Sequence, residues 1–113
     1  METKAAVIAL SALAQESRLA VFRLLVAAGP EGLSAGRIGE ATGIAPSSLS
    51  FHLKELSYAG LVNSRQEGRF IFYAAHFAAM HTLLDFLSEN CCGGQPCAPG
   101  VASGCIPDPS PTE

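Results

Sequence analysis

The chain has 113 residues, 10 acidic and 7 basic, for a formal net charge of -3, so it lacks the strongly basic balance that usually marks a nucleic-acid binder. Hydrophobic residues make up 49% and aromatics 7%, with no Trp; an apolar mass of Ala, Leu, Val and Ile suits small, closely packed helices. One domain with an appended tail accounts for the length, and no run reaches the roughly 18 apolar residues of a membrane span.

The N-terminal stretch "METKAAVIALSALAQES" is apolar, but Glu2 spoils a basic leader and the run continues at helical spacing, so it reads as a helix and not as a signal peptide. A cytoplasmic, reducing setting follows as the expectation. The four cysteines are then expected as free thiols or ligands and not as a disulfide framework. In "TKAAVIALSALA", Val7, Leu10 and Leu13 stand three apart, with Thr3 as N-cap candidate. "SRLAVFRLLVAAG" places Leu19, Phe22 and Val26 on one side with Leu24 and Leu25 beside them, and Gly29-Pro30 ends it. "GPEGL" reads as a turn. Ser34 then caps a short helix, "AGRIGEAT", which Gly43 closes, and Pro46 opens "PSSLSFHLKELSYAG". Two helices joined by "TGIA" have the dimensions of a helix-turn-helix.

After Gly60 the period changes from helical to alternating. "LVNSRQEGRFIFYAA" predicts a hairpin turning at Gln66-Glu67-Gly68. "HFAAMHTLLDFLSEN" returns to helical spacing, with Phe77, Met80, Leu84 and Leu87 on one stripe. From Cys91 onward the composition is Gly, Pro, Ser and Cys without periodicity. The expected organisation is a mainly α winged helix-turn-helix domain over residues 1–90, with a β-hairpin wing, and a flexible cysteine-containing tail over residues 91–113.

In such a domain the second helix of the pair lies in the major groove and the wing touches flanking backbone. Helical spacing sends Leu49, His52, Leu53 and Leu56 inward and leaves Ser47, Ser48, Ser50, Phe51 and Lys54 on the other face. Hydroxyls near a helix start can reach phosphates or base edges, Lys54 can neutralise a phosphate, and Phe51 can pack on a thymine methyl. His52 reads as a hydrogen-bonded residue of the inner side. Arg65 and Arg69 flank the wing turn, where a wing meets phosphates. Several acids, Glu2, Asp85, Asp108 and Glu113 among them, fall outside this face, which weakens the objection from net charge.

The segments "ALAQESRLAVFRLL", "LSAGRIGEATGIAPSSLSFHLKELSYAGLV" and "RQEGRFIFYAA" resemble the ArsR/SmtB family of metal-responsive repressors, over about residues 5 to 90. The most specific part runs from Ser50 through His52, Leu53, Leu56, Ala59 and Gly60 to Leu61 and Val62. The resemblance implies a homodimer formed by the first and last helices. It also implies an ion-free form bound to double-stranded operator DNA and released by an inducer. One departure is Ala45, where the family often has Ser as the cap of the reading helix; its loss costs about 1 kcal/mol.

Two of the family's sensing sites have no counterpart. "SAGRIGEAT" holds no cysteine, and His76 and His81 lack distal ligands near Leu87 and Asn90. What remains is Cys91-Cys92-Gly-Gly-Gln-Pro-Cys97, with Cys105 further out. This resembles the arsenic-responsive subgroup with adjacent cysteines after the last helix. The resemblance implies trivalent arsenic as inducer at Cys91, Cys92 and Cys97, with antimony(III) or methylarsenite as variants and Cys105 as a further candidate ligand. Thiolates select soft ions, and adjacent cysteines converge on one atom only if the backbone is irregular there. Zinc or cadmium stays open, since Cys105 supplies a fourth sulfur. A redox sensor wants its thiols at a helix N-terminus or beside cations; Cys91 and Cys92 follow a helix C-terminus, next to Glu89. A thiol metal-trafficking protein without DNA affinity is the rival from another class. No nucleophile–base pair or phosphate-binding glycine loop points to an enzyme.

Overall fold

Helix ends follow short local signals. In the computed structural model, which describes residues 1–94, the first helix, α1, spans Thr3–Leu13. Thr3 is its first residue and not its cap, because helical bonding reaches back to the Glu2 carbonyl, which accepts from the Ala6 N–H at 3.0 Å. Gln15 caps α2 (Glu16–Ala28), its side-chain oxygen accepting from the Arg18 N–H at 2.9 Å. Glu16 in the first turn suits the positive end of that helix. The axes of α1 and α2 meet at 100°.

Ser34 caps α3 (Ala35–Thr42), as its position predicts: the hydroxyl accepts from the Arg37 N–H at 3.3 Å. Gly43 closes α3 in the left-handed conformation. Pro46 begins α4 (Pro46–Tyr58), and Ala45 before it offers no side-chain cap. The hairpin strands are β2 (Val62–Glu67) and β3 (Phe70–Ala75), and α5 (Phe77–Ser88) follows. Together α3, α4 and the hairpin make a winged helix-turn-helix.

The sheet corrects the expected wing in two places. Glu67 pairs with Phe70, so the turn is the two residues Gly68-Arg69, one step later than the predicted Gln66-Glu67-Gly68. Gly68 takes a φ of 63° at the first turn position, which matches a type II′ hairpin and the twist of its strands. The sheet also has a third strand, β1 (Leu33–Ser34), giving the order β1-β3-β2. Leu33 lies opposite Tyr73 in antiparallel register. Gly32 permits this approach, since a Cβ there would fall 2.1 Å from the Tyr73 carbonyl oxygen.

The core gathers Val21, Phe22 and Leu25 of α2, Ile38 of α3, Leu49, Leu53 and Leu56 of α4, and Leu61 and Val62 entering β2. The apolar stripes of the other three helices are only partly covered. Helix α1 buries Ala6, Ala9 and Ala12 and leaves Val7 and Leu10 exposed. Helix α2 turns Val21, Phe22 and Leu25 inward and Leu19 outward. Helix α5 buries Leu83 and packs Phe77, Met80 and Phe86 against the core, while Leu84 and Leu87 are exposed. For α1 the reason is steric: it packs against α2, α4 and α5, and small side chains permit the closest approach. Among the described residues no single helix is long and apolar enough to cross a membrane.

Candidate DNA interface and cysteine site

Period and packing together set the two faces of α4. Leu49, Leu53 and Leu56 are buried, while Ser47, Ser48, Ser50, Phe51 and Lys54 are all exposed on the side predicted for DNA. Phe51 leaves 54% of its surface open although it is a large aromatic ring, and Tyr58 at the end of the same stripe leaves 86%. Isolated exposed aromatics are common, but two on one face beside hydroxyls and a lysine form an amphipathic stripe that can stack, donate and neutralise. Tyr58 joins this face without having been among the residues expected there. Its spacing of seven from Phe51 and four from Lys54 was the available signal.

His52 is half-buried at the border of the two faces, as expected of an inner-side hydrogen-bonding residue. Its Nδ1 lies 3.4 Å from Nη1 of Arg18. Arg18 also donates from Nε to the Ala12 carbonyl at 2.7 Å. Nothing in the local pattern of "QESRL" distinguishes this arginine from a solvated one.

The wing arginines divide. Arg65 is held within the protein: it pairs with Glu67 at 2.7 Å, donates to the Glu31 carbonyl at 2.8 Å, and lies 5.0 Å from the ring centroid of Phe72. Register explains the cluster, because Arg65 and Phe72 are direct cross-strand partners and Glu67 follows two residues on. Arg65 thus ties the wing to the loop before β1. Arg69 sits in the turn itself, exposed at the tip. Phe70 and Ile71 beside it are also exposed.

The last helix presents its histidines differently from a metal site. His76 caps α5, its Nδ1 accepting from the Ala79 N–H at 3.0 Å. His81 is exposed one turn later. Among the described residues no group of three or more His, Cys, Asp or Glu gathers as a metal cluster.

Beyond α5 the chain makes a short 3-10 turn over Cys91–Gly94. Asn90 and Cys92 both adopt positive φ, at 59° and 56°, and Gly93 continues at 66°. This irregular backbone brings the exposed thiols together: Cys91 Sγ and Cys92 Sγ are 3.8 Å apart. On a regular helix adjacent side chains diverge by about 100°. The 3.8 Å separation is that of a thiol–thiol contact, and it is short enough for both sulfurs to reach one ion. The expected third and fourth sulfurs, Cys97 and Cys105, lie outside the described residues, as does most of the tail over residues 91–113.

Comparison with known proteins reaches the same architecture. Residues 13–65 match a family described as a helix-turn-helix domain. The HTH-type transcriptional regulator YceK of Bacillus subtilis is 45% identical over 58 residues, covering 51% of this chain and 57% of that one, little more than half its length. The transcriptional activator HlyU of Vibrio cholerae is 32% identical over 87 residues, 77% of this chain and 78% of its own. Among solved structures, an ArsR-like transcriptional regulator from Rhodococcus superposes with a TM-score of 0.67 at 26% identity, over 75% of this chain and 77% of the other. A homodimeric winged helix-turn-helix DNA-binding domain from Mycobacterium bovis gives 0.61 at 28% identity, over 77% and 81%. A structure described as a possible transcriptional regulator for arsenical resistance gives 0.57 at 27%, over 70% and 82%.

Proposed function

The chain belongs to the ArsR/HlyU-type winged helix-turn-helix transcriptional regulators, and from that premise we propose that it is an arsenic(III)-responsive repressor, cytoplasmic and homodimeric. In its ion-free form the dimer binds operator DNA through α4 and the wing. It dissociates when trivalent arsenic binds the thiolates that follow α5. Because HlyU is named an activator, repression is part of the proposal and not of the family membership.

The observation that carries the inducer reading is the pair of exposed sulfurs, 3.8 Å apart on an irregular backbone directly after α5. Trivalent arsenic, antimony and methylarsenite are soft, thiophilic centres, and Cys97 completes a three-sulfur set for the inorganic ions. The similarity to a structure described as concerned with arsenical resistance points the same way. Domain organisation follows: residues 1–90 bind DNA and dimerise, and residues 91–113 carry the sensor.

Dimerisation rests on the apolar residues that α1 and α5 leave uncovered, Val7, Ile8, Leu10, Leu84 and Leu87. A patch of this kind on one side of a small domain marks an interface, and one of the structural relatives is homodimeric. Two α4 helices related by a two-fold axis then read half-sites about 34–36 Å apart. Within each subunit Ser47, Ser48, Ser50, Phe51 and Lys54 face the groove, Arg69 meets backbone phosphate, and Arg65 sets the wing. A sensor at the end of α5 adjoins that interface, so ion binding can alter how the subunits sit and thereby the spacing of the reading helices.

The test is fluorescence anisotropy of the reduced protein on DNA from its own promoter, titrated with arsenite and separately with zinc. Binding without ion and release by arsenite but not zinc is the expected result. Cys92→Ser should bind equally well and no longer respond. Release retained in that variant, or release by zinc instead, would overturn the assignment.

A further inference from the structure

Arg18 stands just inside α2, where that helix meets α1 at 100°. Its guanidinium reaches two other helices. Nε donates to the Ala12 carbonyl at the end of α1 at 2.7 Å, and Nη1 lies 3.4 Å from Nδ1 of His52 on α4. The carbonyls of a helix's last turn have no donors of their own, so Arg18 satisfies a group that α1 cannot. A guanidinium only donates, so in this contact His52 Nδ1 stands as the acceptor. The His52 ring meets Phe51 in an edge-on contact, centroids 5.9 Å apart. Contacts therefore run without a break from the end of α1, through Arg18 and His52, to the aromatic ring exposed on α4.

We propose that Arg18 is a positioning residue for DNA reading, one that fixes the rotation of α4 and the placement of the Phe51 ring relative to α1. Helix α1 carries the uncovered residues Val7, Ile8 and Leu10, so the same link ties the reading surface to the face where a second copy docks. Arginine suits the task because its rigid planar fork holds two acceptors at a set angle; a lysine nitrogen on a flexible stem does not. The proposal rests on α4 being the DNA-reading helix.

The experiment measures operator affinity by anisotropy at several salt concentrations, with a thermal melt of each protein alongside. It compares wild type with Arg18→Lys, His52→Ala, His52→Asn and the Arg18→Lys/His52→Ala double variant. Arg18→Lys and His52→Ala are each expected to weaken operator binding about tenfold, and the double variant no further than Arg18→Lys alone, because His52 acts through its contact with Arg18, whereas Arg18→Lys also loses the bond to the Ala12 carbonyl. His52→Asn puts a carbonyl oxygen near the place of Nδ1 and should recover most of the loss. The slope of log affinity against log salt should stay at the wild-type value, since no phosphate contact is removed. Unchanged affinity in folded Arg18→Lys, or losses that multiply in the double variant, overturns the proposal. So does a slope lower by about one, which would make Arg18 a phosphate contact. Should Arg18→Lys be unfolded at the assay temperature, the histidine pair decides: equal losses in His52→Ala and His52→Asn overturn it. A wild type that binds no operator refutes the DNA reading itself, an outcome distinct from all of these.

Discussion

Helices α1 and α4 are both amphipathic, yet they solve opposite problems. Helix α4 buries three leucines and shows Ser47, Phe51 and Lys54 to solvent. Helix α1 buries three alanines and shows Val7, Ile8 and Leu10. In α4 the large apolar side chains lie against their own domain. In α1 they point away from it, and the domain takes only the small ones. An apolar stripe states which residues need cover; it does not state who provides the cover. The largest expected effect tests this contrast directly. Leu56→Ala should cost about 3 kcal/mol of unfolding free energy, measured by urea denaturation, because Leu56 is fully enclosed in the core. Leu10→Ala, the same chemical change, should alter the stability of the isolated subunit by less than about 0.5 kcal/mol. Equal losses would erase the distinction between the two helices.

The second break targets assembly. Replacing Val7 and Leu10 together by serine leaves the alanine face of α1 untouched. Sedimentation equilibrium should show self-association at least about tenfold weaker, with a melting temperature that no longer rises with protein concentration. Unaltered self-association would move the interface elsewhere, with Leu84 and Leu87 of α5 the next residues to replace.

The same contrast explains what could be read from the amino-acid order. Element types came through because their signals are local: Ser34 and Gly43 bracket α3, Pro46 opens α4, and Gly68 serves the hairpin turn. The outer face of α4 was legible because a polar face next to buried leucines has a single arrangement. Strand β1 was not, since two residues carry no period and their partners Tyr73 and Phe72 are 40 and 38 residues distant in sequence. What enables it, Gly32, looks like any turn glycine until a backbone oxygen is placed against it. The contacts of Arg65 were hidden for a similar reason: its partners Glu31 and Phe72 are brought to it by the fold. Arg18 had no signal at all. The closeness of the two thiols could be anticipated only as a requirement for irregular backbone, which Asn90 and Cys92 supply in left-handed form.

A smaller effect concerns the start of the reading helix. Ala45 has extended dihedrals and accepts the first helical bond from Leu49 at 2.8 Å, but it offers nothing to the amides of the first turn. Ala45→Ser should add about 1 kcal/mol to stability, read as a higher urea midpoint at unchanged slope. Because α4 is already held by Leu49, Leu53 and Leu56, operator affinity should change little. A large affinity gain would show that fraying of this turn limits DNA binding, and so that α4 is less rigid than its buried face implies.

The smallest effect separates the two wing arginines. Arg69 stands exposed in the turn, and Arg65 is committed to Glu67, Phe72 and the Glu31 carbonyl. Arg69→Ala should weaken operator binding a few-fold and lower the salt slope by about one, the mark of one lost phosphate contact. Arg65→Ala should leave that slope unchanged, because its charge is already matched within the protein. It should instead loosen the wing, read as faster amide exchange in β2 and β3. If the two variants exchanged signatures, Arg65 would be the phosphate contact, and the Glu67 pair a resting contact that DNA displaces. Exposed ion pairs are weak enough for such an exchange, so the salt slope decides between the roles.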